Sequence, residues 1–472
     1  MIQLNSEQVS HMLSDGATGK PLIGPSSQQV TVEILSDDVL LEIFRHYLDL
    51  SPRPWSMLAH VCQRWRQIVF TSPHSLDLRL YFTYGTSALK ILEYWPPFPL
   101  VLNYGGSPPM LRPPALDDEE NIVAALKQSG RVRSISLTVT SSLVGKLSAI
   151  SEPFAELEEM TLLSRDLQLV MASTFRWGSR LRTLHSTMIT FPSFPELLLH
   201  SRDLVDLHLH DIPIAGYFSP EVYANALSGM TKLRSLSLHF FSSHPRRDYL
   251  GYPTSSGERI VLPSLSCFKY RGVGKYLDSL LSRIDTPSLQ YIHIAYFTCQ
   301  PTMDAAQLFQ FISRTEMMNP PRRADILTSG RAISVSFTQS NAPTRFEVEV
   351  PCGQLDWQLS FMTQICNQLP PFLSCVEELL VNTTRPSISQ NDLGSERWLE
   401  LIRTFCEAKD IRVSRDFATD IPTTEQLCTH LRDPFSMPCA ISIYKSASPW
   451  TCPGCRWILS NPLPAKLPTL QW

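Results

Sequence analysis

Glycine is in short supply in this chain, with 19 residues out of 472 against 37 prolines. The sequence contains no glycine-rich phosphate loop, no G-x-S-x-G elbow, no H-E-x-x-H pair and no paired-carboxylate motif. The chemistries those patterns serve are therefore not expected, and the chain reads as a non-enzyme without a cofactor. Charge is sparse as well, at 18% with a formal net of -3. That balance leaves no electrostatic footprint for nucleic acid or an anionic membrane. No stretch approaches the roughly 20 apolar residues of a membrane span. The opening MIQLNSEQVSHMLSDGATGK lacks the basic start and apolar core of a secretory signal. An intracellular protein, cytoplasmic or nuclear, is expected, with neither nucleic acid nor membrane as partner.

The 11 cysteines are scattered and odd in number. In a reducing compartment they read as small buried hydrophobes. Cys452-Pro453-Gly454-Cys455 has the spacing of a metal or redox pair. Its nearest candidate ligands, Cys428, His430 and Cys439, match no zinc module, so plain thiols and no metal site are expected.

What the chain does have is a 43% hydrophobic fraction, enough for real cores, and length for two or three domains. Residues 1–30 are aperiodic and read as a flexible lead-in. From 34 a helical stripe begins. Ser36 can cap it, Asp37 and Asp38 favour its positive end, and Val39, Leu40, Ile43, Phe44, Tyr47 and Leu48 line one side. Ser51-Pro52-Arg53-Pro54 interrupts the stripe. A second helix is expected over 55–70, with Leu58, Val61, Cys62, Trp65, Ile68 and Val69 apolar. Such a module is too small to bury a good core alone. Either it caps the rest of the chain or another protein covers it. Then comes a stretch ending in Pro108, Pro109, Pro113 and Pro114, read as extension and linker.

Beyond 131 a pattern recurs: LRTLHS at 181, LVDLHLHD at 204, LRSLSLHF at 233, LQYIHIAY at 289. Starts at 157, 181, 204, 233, 265 and 289 lie 24, 23, 29, 32 and 24 residues apart. Leucine-rich repeats run about 20–29 residues, so most gaps fit and the longer ones need insertions. Helix candidates such as 220–230 and 276–284 lie between strands, as a stacked solenoid requires. After 300 the pattern weakens, with 333–337 and 346–350 as a possible hairpin, and a strand–helix–strand rhythm returns from 376. In a leucine-rich solenoid the strand residues between buried leucines form the binding face. That points to His208, His210, Arg234, His239, Lys269 and His293 as substrate contacts, against the plain alternative of solvated strand positions. Glu119-Glu120 and Glu158-Glu159 read as exposed faces.

The run ILSDDVLLEIFRHYLD…WSMLAHVCQRWRQIVF has a leucine-led entry, an L-x-x-I-F helix and a V-C-x-x-W-R ending, and it resembles an F-box. The following SPHSLDLRLYFTYGT…LEYWPPFPLVLNYGG is similar to the large F-box families of mushroom-forming fungi. The F-box likeness covers about 40 residues and the extension reaches about 106. It implies docking on a Skp-family adaptor and, through it, a cullin-RING ubiquitin ligase, with the downstream repeats holding a protein substrate. Leu35 takes the entry position. Val39, Leu40, Ile43 and Phe44 would make the first-helix contacts. Leu58, Val61, Cys62, Trp65, Ile68 and Val69 would fill the second half of the interface or the module's own core. Ser36 stands where the family usually has proline, and His74-Ser75-Leu76 where a tryptophan often follows. Weaker pre-organisation of the entry is the expected result.

The expected fold is α+β or α/β: a small N-terminal helical F-box, then an irregular leucine-rich-repeat-like solenoid of strand–helix units. Its parts are 1–30 (lead-in), 31–75 (F-box), 76–118 (extension and linker), 119–425 (repeats) and 426–472 (a poorly ordered tail). The expected function is substrate recognition for a Skp–cullin–F-box ligase. The alternatives are a leucine-rich-repeat scaffold whose helical module only caps its own repeats, and an unrecognised enzyme.

Overall fold

The apolar stripe at 34–50 folds as α1 (Asp37–Leu50), with Asp37 and Asp38 in its first turn. The structure is a computed structural model and describes residues 34–50, 55–105, 114–166, 169–172, 175–242, 259–297, 306–315, 320–329, 331–339, 344–383, 393–414 and 440–444. α1 belongs to the first of two units, Met1–Leu78. The helix expected over 55–70 is in fact two, α2 (Ser56–Ala59) and α3 (Gln63–Thr71). Cys62 breaks it: its backbone is extended and its sulfur accepts from the Trp65 amide at 3.5 Å. Arg66 Nε donates to the Ala59 carbonyl near the break at 2.9 Å, so that acceptor stays satisfied. Leu40, Phe44, Trp55, Leu58, Ile68 and Val69 are buried. The Phe44 and Trp65 rings meet at 4.7 Å between centroids. Arg64 clamps the entry, donating to the Leu35 carbonyl at 2.5 Å and twice to Asp37 Oδ1 at 2.7 and 3.0 Å. The clamp fixes the segment that a proline in place of Ser36 would have stiffened.

The second unit, Arg79–Trp472, is mixed α/β. It opens with β1 (Leu80–Phe82), α4 (Ala88–Tyr94), β2 (Leu100–Tyr104), α5 (Leu116–Leu126), β3 (Val132–Thr138), α6 (Ser141–Leu147) and β4 (Glu159–Leu163). Next come β5 (Thr183–Thr187), α7 (Phe194–Leu199), β6 (Asp206–Ile212), α8 (Pro220–Leu227), β7 (Ser235–Phe240), β8 (Ile260–Val261), β9 (Cys267–Gly272), α9 (Gly274–Leu281), β10 (Ile284–Asp285) and β11 (Tyr291–Tyr296). The remainder is α10 (Ala306–Arg314), β12 (Arg323–Thr328), β13 (Ala332–Thr338), β14 (Arg345–Pro351), α11 (Leu355–Asn367), α12 (Pro370–Leu373), β15 (Glu378–Thr383), α13 (Leu393–Arg403), β16 (Asp410–Ser414) and β17 (Ala440–Tyr444).

Fifteen of these strands form one open sheet in the order β1-β2-β3-β4-β5-β6-β7-β9-β11-β14-β13-β12-β15-β16-β17. Only β13 runs against its neighbours, β12 and β14. β8 and β10 make a small parallel pair of their own. The leucines of the recurring pattern explain the sheet. Leu204, Leu207 and Leu209, like Leu233, Leu236 and Leu238, are buried, and each fully buried leucine contributes about 1.5–3 kcal/mol. The residues between them stay half-exposed on β6, while Ser237 on β7 is buried. Parallel sheets covered on both faces read as continuous apolar runs. This alternation instead marks a sheet covered on one face. Successive helices pack on one another along the chain, α4 on α5, α5 on α6, α7 on α8 and α8 on α9.

Several expectations need correcting. Residues 76–118, read as extension and linker, contribute β1 and β2 to the sheet, while 106–113 lie outside the described residues. Two residues of α5 hold this segment in place: Asp118 accepts from the Gly85 amide at 2.9 Å and Asn121 from the Ala88 amide at 2.8 Å. Glu119, read as exposed, is only 3% exposed. Its carboxylate receives Thr140, Ser142 and Lys146, each at 2.8 Å. The tail from 426 was read as poorly packed, yet β17 pairs in parallel with β16. The rest of that tail lies outside the described residues. The hairpin read at 333–350 is present as β13–β14, and β12 joins it as a third strand.

Candidate functional site

Two surfaces collect the residues of interest. The first is on the helical unit. Leu40, Phe44, Leu58, Ile68 and Val69 are buried, Leu35 and Trp65 are half-buried, and Val39, Ile43, Val61 and Cys62 are exposed. The buried residues form core rather than contact surface. Ile34 and Met57, which sequence reasoning passed over, are 68% and 57% exposed. Ile34 precedes the entry leucine, whose carbonyl the Arg64 clamp holds.

The second surface is the face of the sheet opposite the buried leucines. Strand register sets His185, His208, Ser237, Lys269, His293 and Glu347 side by side across six strands. His239, Arg271 and Glu349 lie one step further along. His210, next after Leu209 where that residue pairs with Leu238, belongs to this second row, and a bulge follows it: Ile212 pairs with Phe240, so Ile212 and not Asp211 turns to the core. The extra residue is absorbed at Asp211, which sits at φ 50, a strained conformation for a non-glycine residue. The His210 ring stacks on His239, 4.4 Å between centroids and 14° apart. The His185 and His208 rings meet edge-on at 4.3 Å.

Serines tie the rings down. Ser235 Oγ is 3.3 Å from His208 Nε2, and Ser237 Oγ is 3.2 Å from Nε2 of both His210 and His239. Burial holds all four imidazoles below their ordinary range, with His208 and His239 pushed down to about 3. Neighbouring histidines and Lys269 add to the effect at His208, His210 and His239. At neutral pH the strip is therefore uncharged.

Charge on the rest of this face is internally balanced. His293 Nε2 lies 3.1 Å from Glu349 Oε2 and holds that carboxyl below its usual range. Arg345 pairs with Glu347 at 3.1 Å and Arg323 with Asp325 at 2.9 Å. Lys269 Nζ sits 5.6 Å from the Tyr291 ring centre and Arg271 5.5 Å from that of Phe297. A cavity of about 20 Å³ behind His210, lined in part by Ser186, Phe191, Leu209 and Tyr223, has room for a single water. The face is thus a broad polar surface.

Five of the six substrate-contact expectations fall on this face: His208, His210, His239, Lys269 and His293. Arg234 does not. It immediately precedes β7, is exposed, and has the opposite alternation from Ser235. Sequence reasoning missed His185, although LRTLHS places it at the same step as His208 in LVDLHLHD. It also missed Ser235 and Ser237, whose importance comes from ring contacts between strands. Among the described residues, no group of three or more His, Cys, Asp or Glu is placed to hold a metal ion. The CPGC motif, with Cys428, His430 and Cys439, lies outside them. No described helix is long and apolar enough to cross a membrane. No protein-family model matches the chain, and no curated protein matches it.

Proposed function

We propose that this chain is a substrate receptor of a Skp–cullin–F-box ubiquitin ligase. The helical unit, read as an F-box, docks on a Skp-family adaptor and through it on a cullin. The strand–helix region, read as an irregular leucine-rich-repeat-like solenoid, holds a protein substrate on its open sheet face. One observation carries the reading: Ile34, Val39, Ile43, Met57 and Val61 are 45 to 68% exposed, beside fully buried Phe44 and Val69. A single exposed apolar residue is ordinary. Five in so small a unit make a surface that a partner completes. Val39 and Ile43 lie one turn apart on α1, as anchors of one helix face do.

In this reading the chain supplies proximity. A bound substrate lysine is held near a charged ubiquitin-conjugating enzyme at high effective concentration, with no chemistry asked of the receptor. The test is Val39→Asp combined with Ile43→Asp. Both side chains are exposed, so the variant keeps its circular dichroism and melting temperature while adaptor pull-down is lost. Undiminished capture by the folded variant overturns the docking. A scaffold whose helical unit only caps its own repeats would fail to capture the adaptor even as wild type.

A further inference from the structure

Ser237 lies between two imidazoles, 3.2 Å from Nε2 of His210 and 3.2 Å from Nε2 of His239. It is 0% exposed, and no other partner of its hydroxyl occurs among the described residues. A serine hydroxyl has one hydrogen and can donate to only one ring. A buried hydroxyl hydrogen with no acceptor is disfavoured. Ser237 therefore donates to one Nε2 and accepts from the other. The two neutral rings must hold opposite tautomers, one with a bare Nδ1 and one with Nδ1–H. No hydrogen bond of either Nδ1 occurs among the described residues, and both histidines are half-exposed. The stacked rings thus offer one acceptor and one donor.

We propose that His210, Ser237 and His239 form an uncharged two-point site for a primary carboxamide, the side chain of an asparagine or glutamine on the partner held by the open face. A carboxamide carries both an N–H donor and a carbonyl acceptor, which matches the pair. A carboxylate has only acceptors and an ammonium only donors, so each would face one ring nitrogen of the wrong kind. Around the stack, Asp211 adjoins His210, Arg271 lies over Phe297, Lys269 over Tyr291, and His293 is bonded to Glu349; Arg271 and Lys269 keep their charge, so the comparison of glutamine with glutamate is what separates the ring pair from these cations. The inference rests on the reading that this face receives a partner, and is independent of the adaptor.

The test uses the full chain with nitrogen-15 in its histidines and three probes: the N-acetyl methylamides of glutamine, glutamate and methionine. At pH 7, His210 and His239 should show opposite neutral tautomers. The glutamine probe should shift both rings saturably and bind about fivefold tighter than the other two, the worth of one net hydrogen bond. Ser237→Ala should release the tautomers and bring the three probes level. Should that variant not fold, His239→Phe keeps a stacked ring and makes the same comparison. Identical tautomers, a charged ring at pH 7, or a glutamate or methionine probe that binds as well as glutamine overturns the proposal. Adaptor pull-down is scored separately, so either reading can fail while the other stands.

Discussion

At His208 and His239, burial opposes charge strongly enough that both titrate near 3 in the folded chain. Unfolded, an imidazole titrates near 6.5. Between those values the unfolded chain binds the extra protons. Stability is therefore fully present above about 6.5 and is lost as pH falls towards 3. The limiting slope is about 1.4 kcal/mol per pH unit for each ring. Partial solvent access reduces it, so about 1–3 kcal/mol should go between pH 7 and 5 from the two rings together. Asp206, Asp211 and Glu349 are the nearby carboxylates, Lys269 and Arg271 the nearby cations, and His185, His210 and His293 the nearby imidazoles that modulate the loss. Urea midpoints at the two pH values measure it. His208→Gln with His239→Gln should flatten the profile, and an equal loss in that double variant would discard the explanation.

A polar cluster around buried Glu119 joins the buried apolar residues where α5 and α6 meet. Thr140 Oγ1 accepts from the Leu143 amide, capping α6 at 3.1 Å, while donating to Glu119 on α5. Burial raises the Glu119 pKa, but hydrogen bonds from Lys146, Ser142 and Thr140 outweigh it and the net shift is downward. Glu119→Ala strands three donors and should destabilise by about 1–3 kcal/mol, read from denaturant midpoints; a change within error would show the cluster to be dispensable. The same contrast explains what was legible in the sequence. Strands carried by repeated leucines, β4 to β7, β9 and β11, could be read from spacing, because burial writes a period into the residues. The break at Cys62, the bulge at Asp211 and the ring contacts of Ser237 could not. They depend on where neighbouring elements put single polar atoms, and one sequence records no such meeting. β12 was missed because RADILT turns only Ala324 and Ile326 as apolar residues to the core, while its leucine faces out.

At the scale of the whole chain, the question is whether the helical unit finishes the sheet or stands apart from it. The second unit has a core of its own. From β2 to β16 the core-facing strand residues are buried, Leu100, Leu102, Leu184, Leu236, Ile292 and Val381 each at 0% exposure. Neighbouring strands and successive helices of this unit supply one another's contacts. Phe44 and Trp65 pack on each other within the first unit. A fragment of residues 79–472 should therefore unfold cooperatively within a few degrees of the full chain and keep its pH profile, while losing all adaptor capture. Calorimetry and pull-down on one preparation measure both. A cap behaves otherwise: removing it strips cover from the first strands, and β1 and β2 would lose hydrogen-exchange protection as the melting temperature fell. That pattern would transfer the exposed apolar residues of α1 from a docking surface to a lid, and the receptor reading would fall with them.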